Sequence, residues 1–186
     1  MKKNTLALFS SLSLSVMLAA CGGGGSSEDT RAVPAAWDGT WASPEPCTPS
    51  YPRTDSSGDY YDAGAMFISN STDQTLILKE IAYTDDKCTQ KAGALEVTFD
   101  GSQFKQASFD GYQNARTGVI TVSNVKISSD GDGSGFTLNP EPIYKGAQNN
   151  QSFGINASGQ LCGASSNGDL KVAPNMAKAG CGNKQK

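Results

Sequence analysis

The residues with the most chemistry to offer are five cysteines and a run of aspartates, because no histidine occurs anywhere in the 186 residues. Without imidazole there is no Ser-His or Cys-His nucleophile pair, and the commonest ligand of zinc and other transition metals is missing. Cys47, Cys88, Cys162 and Cys181 stand far apart, and no two of them form the Cys-x-x-Cys pair usual in zinc sites. In an oxidising compartment four such thiols read as two disulfides, for which three pairings exist. Joining nearest neighbours, Cys47 with Cys88 and Cys162 with Cys181, is the simplest, and the second bridge would pin a weakly apolar tail. On the chain-entropy model each bridge contributes roughly 3 to 4 kcal/mol.

The aspartates gather in Asp130-Gly131-Asp132-Gly133-Ser134-Gly135, with Glu141 at the twelfth position counted from Asp130. Oxygen side chains at the first, third and fifth places, a glycine at the sixth and a carboxylate at the twelfth match the spacing of an EF-hand calcium loop. The flanks do not match. Residues 119–127 alternate like a strand, and Pro140 and Pro142 bracket Glu141 where the exit helix should begin. Asp and Gly also suit a long hairpin turn, since both accept unusual backbone angles and Asp bonds its own main chain. The turn is the preferred reading. Calcium held by Asp130, Asp132 and Ser134, with Glu141 doubtful, is the alternative. Asp85-Asp86 offers no acid–base pair, because neighbours on a strand point to opposite faces; it reads as a solvated turn.

The elements that must position these groups begin after a leader. Lys2 and Lys3 precede an uncharged apolar stretch, residues 6–20, and then Cys21. This is the three-part form of an export signal, too short and too rich in serine for a membrane span. Leu18-Ala19-Ala20-Cys21 resembles the lipobox of bacterial lipoproteins. The resemblance implies that residues 1–20 are removed, that the Cys21 thiol carries diacylglyceryl, and that the new amino terminus takes a further fatty chain such as palmitate. Several chains anchor stably where one holds only marginally. Gly22 in place of Asp implies the outer membrane under the sorting rule of enteric lipoproteins, with the face left open. Residues 21–36, rich in Gly and Ser, read as a tether, and 37–186 as one domain.

That domain reads as all-β. Residues 95–100 alternate strictly, and Asp100-Gly101 gives a hairpin signal before Phe104. Segments 65–69, 75–83, 118–127, 135–138, 152–156 and 170–173 are further strand candidates bounded by Gly, Asn, Asp or Pro. About eight short strands suggest a small antiparallel barrel or sandwich carrying two disulfides. The chain has a net charge of −3, and loss of Lys2 and Lys3 with the leader makes it more acidic. With no basic cluster, nucleic acid is not expected as a partner.

Gly39-Thr40-Trp41 followed by Cys47, together with Tyr83-Thr84-Asp85-Asp86-Lys87-Cys88-Thr89, resembles a group of small, uncharacterised bacterial lipoproteins. Their domains open with a Gly-Thr-Trp strand, carry a Cys soon after, and repeat a Tyr-x-Asp-x-x-Cys-Thr segment. The likeness covers about residues 37–99 and supports the Cys47–Cys88 pairing. It implies no activity. A fainter resemblance is to lipocalins, through Gly39-x-Trp41 and the Thr84-Asp85 pair. It implies an eight-stranded cup around a small apolar ligand, with the Trp closing one end. Lipocalins also set a late Arg against that Trp, and here no Arg follows Arg116. Trp41 itself reads as a core aromatic. The expected function is a non-enzymatic binding or structural module on a lipid anchor, without cofactor; the alternative is a lipocalin-like carrier. Asn70-Ser71-Thr72 and Asn156-Ala157-Ser158 match the glycosylation acceptor pattern. They are discounted in a bacterial lipoprotein.

Overall fold

A computed structural model of the chain describes residues 29–52, 58–129, 144–166, 170 and 174–186. Its strands are β1 (Gly39–Pro52), β2 (Asp59–Asn70), β3 (Thr75–Tyr83), β4 (Lys91–Asp100), β5 (Lys105–Gln106), β6 (Tyr112–Ser129), β7 (Gln148–Asn156), β8 (Leu161–Ser165) and β9 (Gly180–Lys184). Eight of them form one antiparallel ring, in the order β1, β2, β3, β4, β6, β7, β8, β9 and back to β1. The two-residue β5 adds to the start of β6 alone. Closure leaves the ring no edge to aggregate through.

Alternation decides which side chains fill the ring. Along β3, Leu76 and Ala82 are buried and Leu78 packs with the core, while Lys79 between them reaches Glu96 of β4 at 2.7 Å. Glu96 also lies 3.9 Å from Lys126 of β6. Its carboxyl is held below the usual range, first by the Lys79 hydrogen bond and then by the nearby positive charges. Charges thus sit at mid-height on the outside and apolar groups within. A membrane-spanning barrel has the opposite polarity. Among the described residues no helix is long and apolar enough to cross a membrane.

β6 serves two partners: residues 112–121 pair with β7 and residues 121–129 with β4. The register shift opposite Thr98 and Phe99 lets the long strand bend between them. A second irregularity lies between Pro44 and Thr48 of β1. There Gly64 has φ +102°, and a Cβ on it would fall 2.1 Å from the Ser43 carbonyl oxygen. Only glycine fits so close an approach.

One end of the ring is filled. Residues 29–38, which include a 3₁₀ turn at Ala35–Trp37, cross it as a plug. Val33 and Trp37 are wholly buried there with Trp41, Leu76, Phe104, Ile120, Phe153 and Leu161. The Trp37 ring centroid lies 6.1 Å from that of Phe104 and 5.7 Å from that of Phe153. Buried Arg116 donates from Nε to the Arg31 carbonyl at 3.1 Å and from Nη2 to the Asp29 carbonyl. Gln74 accepts from the Val33 amide at 2.9 Å and donates back to the Val33 carbonyl at 3.2 Å. The ordered body therefore takes in residues that the composition assigns to the tether.

The expected tight hairpin at Asp100-Gly101 does not form. The turn is real, with the Ser102 amide donating to Asp100 Oδ1 at 2.8 Å. Yet Phe104 drops into the core, the following strand joins β6, and β4 takes β3 and β6 as neighbours. Segments 65–69, 75–83, 118–127 and 152–156 fall within β2, β3, β6 and β7. Segment 135–138 lies outside the described residues, as does 171–173, and Leu170 stands in a turn. Short β8 and β9 were not expected.

Candidate functional site

Above the plug the ring is filled on one side and hollow on the other. The β3, β4 and β6 wall carries Ala82, Leu95, Val97 and Val122, packed together with Leu78, Val125 and Ile127. Across from it, β1, β2, β7, β8 and β9 enclose a cup of about 300 Å³. Its floor is Phe67 and Phe153, whose ring centroids are 5.9 Å apart in an edge-to-face arrangement. Ser43, Ala65, Gln151, Leu161 and Ser165 line the wall, and Glu45 stands solvent-facing at its edge.

Glycine recurs along the β8 and β9 wall of the cup. Gly163 pairs with Gly180 across β8 and β9, and Leu161 pairs with Gly182. A Cβ on Gly163 would sit 2.4 Å from the Phe153 ring, so only glycine lets that ring come so close to β8. A Cβ on Gly180 would meet nothing within 4 Å. That position opens directly on empty space. The arrangement combines an aromatic floor with a few polar groups at the wall, the usual chemistry of a small-molecule site at the lower end of the 300–1,000 Å³ range.

Both disulfides join the expected partners, Cys47 to Cys88 and Cys162 to Cys181. The first ties the outer part of β1 to the β3–β4 turn beside the mouth. The second links directly paired residues of β8 and β9 and packs outside the ring with Ala164 and Met176. Tyr112 donates its hydroxyl to the Met176 carbonyl at 3.1 Å, which fastens the 3₁₀ turn at Met176–Lys178 over that bridge.

Trp41 is buried, and its Nε1 donates to the Trp37 carbonyl at 2.6 Å. The Lys184 ammonium lies 5.2 Å from the centre of its ring. A late cation thus covers this tryptophan, supplied by Lys rather than Arg. Asp85 does not pair with Asp86 but clamps its own turn, accepting from the Thr89 amide and hydroxyl at 2.9 and 2.6 Å and from the Gln90 amide at 2.8 Å. These bonds, led by the hydroxyl, hold its carboxyl below the usual range. Asn70 and Asn156 likewise bond the main chain of their turns, to Thr72 and to Ser158.

Cys21 and the Asp130, Asp132, Ser134 and Glu141 loop lie outside the described residues. Among the described residues no three Cys, Asp or Glu side chains converge as metal ligands would. The cup residues carry little sequence signal. Phe67 and Phe153 look like any strand aromatics, and only Gly180-x-Gly182, alternating on one face, hints at a wall without side chains.

The fold and cup together define a small closed antiparallel barrel with one plugged end and one hollowed interior. Neither the protein-family models nor the curated proteins compared with this chain give a match.

Proposed function

We propose that the protein is a lipid-anchored, non-enzymatic binding module of the bacterial outer membrane, held by acylated Cys21, whose barrel takes a small ligand in the cup over Phe67 and Phe153. The carrying observation is the asymmetry of the interior. One end is packed with aromatic rings, while the other side encloses a cup of about 300 Å³ onto which Gly180 opens with no side chain to fill it. A barrel with only a structural role gains nothing from that hollow, since unfilled space forfeits packing contacts. Lipocalin-like carriage of a ligand with an apolar body accounts for it.

The anchor and the cup are related in space. From Cys21 to Asp29 the chain makes eight steps of at most about 3.6 Å, which keeps the plugged end within about 30 Å of the bilayer. The cup mouth is on the far side of the ring from the plug. Ligand therefore enters from the aqueous side rather than from the lipid.

Native mass spectrometry of the lipoprotein, extracted gently from producing cells, tests this reading. A bound small molecule is expected on the parent protein and is absent from Gly180→Phe, which fills the cup. Identical spectra for the two proteins, with nothing bound, refute it. Replacing Cys21 with Ala tests the anchor: loss of the fatty chains from the amino-terminal peptide and loss of outer-membrane association are expected together.

A further inference from the structure

We infer that the ligand of the cup is a small organic cation with an apolar body, such as a primary or quaternary amine. This deepens the reading above and rests on it. The floor is two aromatic rings, Phe67 and Phe153, which bind alkyl groups by contact. Among the described residues that line the cup Glu45 is the single charged one, and none is Lys or Arg.

Among the described residues at this end of the barrel, Lys87 and Lys91 belong to the β3–β4 turn and its exit, and neither lines the cup. At the other end Lys184 lies over Trp41, and Arg116 holds the plug.

An anionic head group would enter past Glu45 with no positive partner among the described lining residues, and its desolvation would go uncompensated there. A neutral head can bond Ser43, Gln151 or Ser165 and gains nothing from the carboxylate. A cation gains from Glu45 at the mouth while its apolar body lies on the rings. Its charge remains at the solvent-facing mouth, where the ion pair costs little to form and is screened by salt.

The test uses the full lipoprotein in lipid nanodiscs, with empty nanodiscs as blank, and three probes sharing one skeleton: cyclohexylmethylammonium, cyclohexylmethanol and cyclohexanecarboxylate. Calorimetric titration is expected to give the amine an affinity about fivefold above the alcohol, a difference on the scale of an exposed ion pair. The carboxylate is expected to bind weakest. In Glu45→Gln the advantage of the amine over the alcohol disappears while alcohol binding persists, and raising the salt reduces the advantage in the parent protein. Equal affinities for amine and alcohol, or a tighter carboxylate, overturn the charge inference and leave the cup reading standing. Absence of heat for all three probes overturns both. Unchanged urea midpoints for Glu45→Gln confirm that the variant remains folded.

Discussion

The two ends of the barrel solve opposite problems with the same strands. At the plugged end, Val33, Trp37, Phe104 and Phe153 fill the ring, and Arg116 and Gln74 bond the main chain of the crossing segment. On the hollow side of the other half, β8 and β9 contribute glycine where the plugged end has large side chains, and the rim is braced by the Cys47–Cys88 bridge instead of by packing. A barrel of this small size buries only a modest core, so a region left hollow must be supported covalently or by turns bonded to themselves. Packing is concentrated at the plugged end, and the hollow lies away from it.

Substitutions that strike the two ends should separate these roles. The largest loss is expected for Trp37→Ala, about 4 kcal/mol by guanidinium unfolding, since the side chain is wholly buried and contacts two rings. The equivalent change at the cup floor, Phe67→Ala, is expected to cost about half as much, because Phe67 is only partly buried. Equal losses would erase the contrast between the ends.

The bridges come next. Replacing Cys47 and Cys88 together by Ser opens a loop of 41 residues and is expected to cost about 4 kcal/mol, against about 3 for Cys162 and Cys181, separated by 19. The first change should also weaken ligand binding, because it frees the rim. The second should leave binding intact.

Acid sharpens the comparison further. Asp29 in the plug accepts from Arg31 Nη2 at 2.7 Å and from the Ala35 amide at 2.7 Å. These contacts, the Arg31 side chain first, hold its carboxyl far below the usual range. A carboxyl depressed in the folded state stabilises the protein above its unfolded pKa, near 3.9, and that contribution is lost as pH falls below it. Thermal melts between about pH 5 and 2 should therefore fall less steeply in Asp29→Asn than in the parent protein. Asp85→Asn should flatten the same window through the rim turn, with no effect on the plug. The smallest stability effect is expected for Gly180→Leu, under about 1 kcal/mol, because its side chain enters open space. Ligand binding should nevertheless be abolished.

Much of the barrel was legible because alternation is local. In β3, Leu76, Leu78 and Ala82 share one face, and in β4 Leu95, Val97 and Phe99 do; turns rich in Asn, Asp and Gly separate such runs. The cysteine pairs were legible for a similar reason, each joining nearest neighbours along the chain. What could not be read was the fate of side chains whose partners lie far away in sequence. Asp100-Gly101 looked like a hairpin, but Phe104 is claimed by Trp37 and Phe153, and no local pattern records that. Val33 and Pro34 sit in a Gly, Ser and charge-rich stretch and look like tether, although Arg116 bonds the same segment across 85 residues. The cup was hidden because it is defined by side chains that glycine lacks.

The contrast between a filled end and a receptive one can be measured by xenon binding, since xenon enters apolar space that side chains leave free. Carbon-detected NMR under xenon pressure should shift the resonances of Phe67, Ala65 and the face of Phe153 toward Gly163, and leave those of Val33 and Trp37 unmoved. Shifts of equal size at Trp37 and Phe67, or none at Phe67, would contradict the account.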